Sequence, residues 1–136
     1  MALKLKKTVK DLVAEANAEI ETIDAQQAIK LKEDPNVLLV DLRDIRELNR
    51  DGKVPGALHA PRGMLEFWVD PESPYYREVF GTGKKFVFFC AGGLRSALAA
   101  QTVQRMGLEP VCHIEGGFRA WKEAGGPIET VTPPKL

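Results

Sequence analysis

The residues best suited to chemistry in this 136-residue chain surround Cys90, where a strand gives way to a helix. A continuous apolar run, residues 86–89, precedes the cysteine and is typical of a strand buried on both faces. From Ser96 onward, apolar residues recur at helical spacing as far as a stop at Gly107. The N–H groups of the intervening turn and the positive end of the helix would meet at the sulfur. Both favour a thiolate or a bound anion.

The turn itself, Ala91 to Leu94, contains two adjacent glycines and is followed by Arg95. Glycine adopts positive φ easily, so successive N–H groups can point inward around the sulfur. The candidate donors are the N–H groups of Gly92, Gly93, Leu94, Arg95 and Ser96. Arg95 adds a permanent charge and a fork of donors, and we expect it to bind the anionic end of a substrate. We expect Ser96 to cap the helix and to hydrogen-bond within the loop.

Polar or reactive residues follow three of the predicted core strands: Asp41 with Arg43, Cys90, and Glu115. Strand-like runs alternate with helical patterns, which predicts an α/β fold with a mostly parallel sheet. The carboxyl ends of parallel strands lie along one edge, where ligands bind in open α/β folds. We therefore predict a single site with Cys90 at its base.

Other segments are assigned from periodicity and turn residues. Asp24 and Gln27 are placed to form a capping box at a helix start, and residues 62–83 form an irregular surface excursion with a helical turn near 76–80. We expect the aromatic residues of this excursion to anchor it to the core: Phe67, Trp68, Tyr75 and Tyr76. The remaining predictions are strands at 20–23, 37–40, 57–60 and 111–114, and helices at 43–49 and 118–124.

The chain is divided into three parts by these patterns. Residues 1–19 contain an amphipathic helix, which we expect to pack on its own domain rather than on a partner. Residues 20–128 form the domain, and residues 129–136, with two prolines, form a flexible tail.

Composition excludes several classes of protein. Lys+Arg and Asp+Glu both number 19, and a net charge of zero argues against nucleic-acid binding. No apolar run is long enough to span a membrane, and the first residues lack the pattern of a secretory signal. Two cysteines make no disulfide framework, and no His/Cys cluster suggests a metal, so we expect neither metal nor cofactor. A reducing cytoplasmic location is the default expectation.

Three motifs in register resemble those of rhodanese-type sulfurtransferases, and together they span residues 20–127. C-A-G-G-L-R-S, starting at Cys90, resembles the active-site loop of that family. Asp41-Leu42-Arg43 with Glu47 and Pro55-Gly56-Ala57 resembles its first signature, with Lys53 where histidine is common. Glu115-Gly116-Gly117 with Trp121 resembles its last signature. The resemblance implies a rhodanese-like fold, with a central, mostly parallel five-stranded sheet and helices on both faces.

The resemblance also implies a function. Cys90 would take sulfane sulfur from a small anionic donor such as thiosulfate, hold it as a persulfide, and pass it to cyanide or a thiol. The turn's N–H groups would stabilise the thiolate and then the persulfide. Asp41 and Arg43 would pair and brace the loop without taking part in the chemistry.

Two alternatives remain open at this stage. The chain could be a persulfide carrier or a docking module that acts on a protein partner. It could also be a cysteine phosphatase or arsenate reductase, but those enzymes have five residues between cysteine and arginine, whereas four separate Cys90 from Arg95.

The other notable side chains have structural interpretations. Cys112 lies in an apolar strand and is expected in the core, and nothing in the sequence supports a Cys90–Cys112 disulfide. His59 and His113 both flank short strands and are expected to be structural.

Overall fold

A five-stranded sheet in which every strand pair is parallel forms the centre of the molecule. The computed structural model describes residues 3–132, so the predictions for residues 1–2 and 133–136 lie outside the described part of the chain. The strands are β1 (Glu21–Ile23), β2 (Val37–Asp41), β3 (Leu58–His59), β4 (Lys85–Phe89) and β5 (Val111–Ile114). Their order across the sheet is β1-β5-β4-β2-β3. The predicted α/β fold is confirmed, and the sheet is wholly rather than mostly parallel.

Helices follow most of the strands and cover both faces of the sheet. Within residues 3–132 they are α1 (Val9–Glu19), α2 (Ala25–Leu31), α3 (Ile45–Asp51), α4 (Leu65–Val69), α5 (Leu94–Met106) and α6 (Gly117–Glu123). Two 3₁₀ turns, Arg62–Met64 and Glu78–Gly81, lie in the long excursion. None of the helices in the described range has the length and apolar character needed to cross a membrane.

Capping boxes fix where the first three helices begin. In α2 the Asp24 carboxylate accepts from the Gln27 N–H, and the Gln27 side chain accepts from the Asp24 N–H, as the sequence predicted. Asp44 and Glu47 make the same exchange at the start of α3. That helix therefore starts at Ile45, two residues later than predicted, because Asp44 is the cap.

Side chains of the central strand β4 alternate between two hydrophobic cores. Phe86 and Phe88, followed by Cys90, pack with residues of α1 and α5 on one face. Val87 and Phe89 pack with residues of α2 and α6 on the other face. This alternation is that of a strand covered on both sides. It directs the Cys90 side chain toward α5.

The excursion between β3 and β4 differs from its prediction. It contains a short helix, α4, which the sequence analysis missed because five residues are too few to show a period. Trp68 is half-buried and packs against the hydrophobic core, with the Arg77 guanidinium 4.3 Å from its ring centroid, so it anchors the excursion as predicted. Phe67 and Tyr75 were expected to do the same, but they are exposed and contact each other edge to face.

The start of the predicted tail is tied to the domain. Glu129 pairs with Lys53 in an antiparallel bridge, with hydrogen bonds of 2.9 Å in both directions. The rest of the proposed division into helix, domain and tail stays a prediction.

Candidate active site

The sulfur of Cys90 lies at the start of α5, immediately after the last residue of β4. It accepts hydrogen bonds from the Gly93 N–H at 3.2 Å and from the Ser96 N–H at 3.4 Å. Gly93, with φ +99°, occupies the N-cap position of α5 and has no side chain to offer. The cysteine sulfur therefore takes the place of the capping oxygen that normally satisfies the N–H at the third helical position.

Cys90 is buried under its own loop, with 1% of its surface exposed. Two of the five predicted N–H groups, those of Gly93 and Ser96, donate to the sulfur. Leu94 is 59% exposed, so the outer part of the loop faces solvent. Since α5 begins at Leu94 rather than Ser96, the turn is tighter than predicted.

Arg95 borders the sulfur but is already bound to a carboxylate. Its Nη1 and Nη2 each lie 2.9 Å from an oxygen of Glu47, the partner of Asp44 in the capping box of α3. The Glu47 carboxylate, and then nearby Cys90, raise the pKa of Arg95. The Arg95 guanidinium in turn lowers the pKa of Glu47. An anionic substrate that binds Arg95 must therefore compete with Glu47.

Ser96 does not cap α5, contrary to the prediction, because it lies inside the helix and is fully buried. The Cys90 thiol donates to the Ser96 Oγ at 3.7 Å. The same hydroxyl lies 2.9 Å from Nδ1 of His113 on β5. Nε2 of His113 lies 2.8 Å from the Asn17 Oδ1 on α1. A continuous hydrogen-bonded path thus leads from the sulfur to α1.

The start of α6 supports the Cys90 loop through backbone hydrogen bonds. The Phe118 N–H donates to the Cys90 carbonyl at 2.8 Å, and the Arg119 N–H donates to the Ala91 carbonyl at 3.2 Å. Gly117 lies so close that a Cβ there would be 2.3 Å from the Cys90 oxygen. A glycine at this position is therefore required for α6 to fix the loop.

Asp41 and Arg43 form a buried ion pair at the end of β2, with 2% and 1% of their surfaces exposed. Arg43 Nη2 lies 2.8 Å from Asp41 Oδ2 and also donates to the Gly52 carbonyl at 2.9 Å. The guanidinium stacks 4.0 Å from the centroid of the Phe118 ring. The pair therefore ties β2 and the end of α3 to the helix that supports the Cys90 loop.

A cleft of about 450 Å³ separates α1 from the loop. Asn17, Thr22, His113 and Glu115 give it polar walls, and Gly92, Gly93 and Leu94 form its loop side. Glu115 thus lies at the predicted edge of the sheet, on the side of the loop away from Glu47.

Comparison with known proteins identifies the family to which this arrangement belongs. The model of the rhodanese-like domain matches residues 24–124. The chain belongs to the rhodanese-like domain family.

Relatives of this rhodanese-like domain include sulfurtransferases. The polysulfide-sulfur transferase of Wolinella succinogenes, a homodimer, is 32% identical, with a TM-score of 0.68 and coverage of 90% of this chain and 88% of that one. The thiosulfate sulfurtransferase/rhodanese-like domain-containing protein 3 of Mus musculus is 28% identical over 91 residues, 63% of this chain. The match spans 58% of the mouse protein's length.

A solved structure from Rhodopseudomonas palustris CGA009 is 56% identical, with a TM-score of 0.92. The similarity covers 95% of this chain and 99% of that one. That protein is described as being of unknown function and a possible tyrosine phosphatase.

The second cysteine of this rhodanese-like domain lies apart from the site. Cys112 belongs to the core on the α2 and α6 face, opposite Cys90, and both thiols are free. Burial raises the pKa of Cys112 to about 12, so it stays protonated. Cys112 is therefore a core residue, as predicted.

Three residues near Cys90 were not assigned to the site from sequence. Glu47 lies within the first signature, but its contact with Arg95 was not anticipated. His113 is a structural residue in the sequence-based prediction, which gives Asn17 no role. A histidine inside a four-residue buried strand, two residues before Glu115, was the available signal for His113.

Proposed function

We propose that this rhodanese-like domain transfers sulfane sulfur through a persulfide on Cys90. One observation carries the proposal: the Cys90 sulfur accepts two main-chain N–H groups at the start of α5, with the Arg95 charge alongside. These donors stabilise negative charge on the cysteine sulfur and then on the sulfur it carries. The sulfurtransferases among its relatives support the same reaction.

The reaction needs only nucleophilic sulfur chemistry. The Cys90 thiolate attacks the terminal sulfur of thiosulfate, an S–S bond forms, and sulfite leaves with the electron pair of the broken bond. Cyanide or a thiolate then attacks the outer sulfur of the Cys90 persulfide, and the Cys90 thiolate leaves. Neither half-reaction needs an external oxidant or reductant, because the electrons lost in breaking one bond to the transferred sulfur are balanced by those in the new bond. The proposed reaction therefore needs no cofactor.

The burial of Cys90 sets a condition on access. A donor can reach the sulfur only if the loop moves and the Arg95–Glu47 ion pair separates. An anion that binds Arg95 replaces Glu47 as its partner and so favours this separation. Small anionic donors with an exposed terminal sulfur meet both requirements. Thiols, either small or on a protein partner, are the proposed acceptors.

The test compares Cys90→Ser with the parent protein in thiocyanate formation from thiosulfate and cyanide. We expect turnover to be lost in the variant, whereas Cys112→Ala, the matched loss of the other thiol, retains it. Intact mass after thiosulfate treatment should show one added sulfur atom in the parent and in Cys112→Ala only. A native Cys90 that takes up no sulfur from any donor, or a Cys90→Ser variant with parental turnover, would contradict the proposal.

The same experiment separates the related functions. A persulfide carrier would take up sulfur on Cys90 but turn over slowly with cyanide, and it would release sulfur to a specific protein thiol. A docking module would take up none.

A cysteine phosphatase is the second candidate, because the description of the Rhodopseudomonas palustris structure raises it. Four residues separate Cys90 from Arg95, which makes a short cradle for a phosphate ester. An aryl phosphate assay on the parent and Cys90→Ser decides between the two reactions. We expect no hydrolysis dependent on Cys90, and robust hydrolysis lost in the variant would favour the phosphatase.

A further inference from the structure

The hydrogen bonds that run from Cys90 to α1 have one consistent direction. The Asn17 Oδ1 has no hydrogen to donate, so Nε2 of His113 must carry the proton in their 2.8 Å contact. Nδ1 of His113 is then an acceptor, and the Ser96 hydroxyl donates to it at 2.9 Å. The Ser96 Oγ is left to accept from the Cys90 thiol. All the donors between the thiol and Nδ1 point toward His113.

We propose that His113, acting through the Ser96 hydroxyl, accepts the proton of the Cys90 thiol, and that Asn17 of α1 positions His113 for this step. The proposal rests on the proposed function, because sulfur transfer begins with a thiolate. It concerns residues outside the loop: one on β5 and one on α1, at the side of the loop opposite Glu47.

The proton balance of the step is complete. The thiol gives its proton to the Ser96 Oγ as the hydroxyl gives its own proton to Nδ1. The products are a thiolate, an intact serine and an imidazolium. Reversing the hydrogen bonds satisfies the charged state as well, because Nδ1–H then donates to Oγ and the hydroxyl donates to the sulfur. No polar side chain on the path is left without a partner in either state.

Burial of Cys90 is the reason for such a path. With 1% of Cys90 exposed, the thiol proton has no direct contact with bulk water. Asn17 is exposed, and both Asn17 and His113 line the cleft between α1 and the loop. The cleft therefore offers the proton an exit at the far side of the imidazole.

Most charged side chains around His113 are already paired with a residue of opposite charge. Glu19 of α1 pairs with Arg105 of α5, and Glu15 of α1 pairs with Lys7. Glu21 of β1 pairs with Lys85 of β4. Glu115 lines the same cleft as His113, and Arg95 lies on the Glu47 side of the loop. With the thiol neutral, burial alone lowers the pKa of His113 to about 4, so Nδ1 is an unprotonated acceptor at neutral pH. A thiolate on Cys90 acts in the opposite direction and raises the pKa of His113, because the negative sulfur at the other end of the path stabilises the imidazolium.

The test measures alkylation of Cys90 by iodoacetamide against pH, with intact mass as the readout, and does not depend on sulfur transfer. His113→Gln cannot take up a proton. We expect the pH midpoint of alkylation to move up by about one unit and the rate at pH 7 to fall about tenfold. Circular dichroism and the Tm establish that the variant is folded.

Asn17→Asp, at an exposed position, should change the rate of alkylation in the opposite direction. A carboxylate facing Nε2 stabilises the imidazolium, so we expect alkylation at pH 6 to become about threefold faster. Asn36→Asp is the matched control, because it adds the same charge in the exposed turn before β2, at the opposite end of the sheet. Its alkylation profile should match that of the parent.

The outcomes are distinguishable. A His113→Gln variant that folds and keeps the parental pH profile would overturn the proposal, as would an Asn17→Asp variant no faster than Asn36→Asp. Should alkylation respond as expected while the parent takes up no sulfur from thiosulfate, the proton path stands and the proposed function fails.

Discussion

At the scale of single residues, the site depends on two charged pairs that differ in burial. Asp41 and Arg43 are fully enclosed, whereas Arg95 is partly exposed, with 39% of its side chain accessible. An enclosed pair is costly to break because the remaining charge stays desolvated. A partly exposed pair exchanges partners more cheaply. The first pair is therefore suited to support, and the second to a competition with substrate.

Asp41→Asn should lower the free energy of unfolding by about 3–5 kcal/mol, because it leaves the Arg43 guanidinium buried without a counter-charge. Urea unfolding gives the value. The double variant Asp41→Asn/Arg43→Gln, which removes both charges, should lose less than the single variant. Asp51→Asn, which breaks the exposed pair with Arg50, is the control and should cost about 0–1 kcal/mol. Equal losses in the single and double variants would contradict the role assigned to the pair.

Glu47→Gln should lower the KM for thiosulfate about threefold, because Arg95 is released from a competing carboxylate. The amide oxygen still caps α3, so the helix is retained. Steady-state kinetics at low salt gives the value, and Glu33→Gln, an equal charge change on an exposed residue beyond α2, should leave KM unchanged. An increase in KM would instead mean that Glu47 orients Arg95 for the donor.

At the scale of elements, two helices act on the Cys90 loop from different sides. The start of α5 supplies the amides that reach the sulfur, and the start of α6 supplies amides to the carbonyls of Cys90 and Ala91. The second contact is possible only because Gly117 has no Cβ. The geometry of the loop is thus set by the packing of α6 as much as by the loop's own sequence.

Gly117→Ala should lower the free energy of unfolding by about 2–3 kcal/mol and should slow sulfur transfer, because the new methyl group displaces α6 from the Cys90 carbonyl. Gly125→Ala is the matched control: it also has positive φ, at +80°, but nothing lies within 4 Å of its Cβ position. It should cost about 1 kcal/mol and leave transfer intact. Equal effects of the two variants would mean that backbone strain, not the contact, accounts for the loss.

The sequence predicted those elements that are determined by residues close together in the chain. The apolar runs predicted β2 and β4, the Asp24–Gln27 box predicted the start of α2, and Cys90 with the following loop pointed to the candidate site. The contact of Arg95 with Glu47 and the path through His113 to Asn17 join residues 48, 17 and 96 positions apart. Such contacts depend on how β5, α1 and α3 are arranged around the loop, and single-sequence periodicity carries no information on that arrangement.

At the scale of the whole molecule, the sheet separates two cores that each enclose polar groups. The α1 and α5 face contains Cys90, Ser96 and His113, whereas the α2 and α6 face contains Cys112 and the Arg43 guanidinium, which stacks on Phe118. A buried neutral histidine on the first face couples stability to pH.

Stability should fall as the pH decreases from about 7 to 5. The pKa of His113 is about 4 in the folded chain and about 6.5 when unfolded, so the unfolded state binds more protons across this range. The expected loss from this group is about 2 kcal/mol at pH 5. Urea unfolding at pH 7 and pH 5 measures it, and His113→Gln should show a loss smaller by that amount. The same slope in the variant and the parent would assign the acid sensitivity to other groups.

The separation of the two thiols by the sheet has a consequence under oxidative stress. Peroxide that converts Cys90 to a sulfenic acid finds no second thiol of this chain on the same face, since Cys112 is enclosed on the other. An internal disulfide, which would halt further oxidation, is therefore out of reach. Repair of Cys90, the proposed nucleophile, must come from a thiol on another molecule, and it must arrive before the sulfinic acid forms.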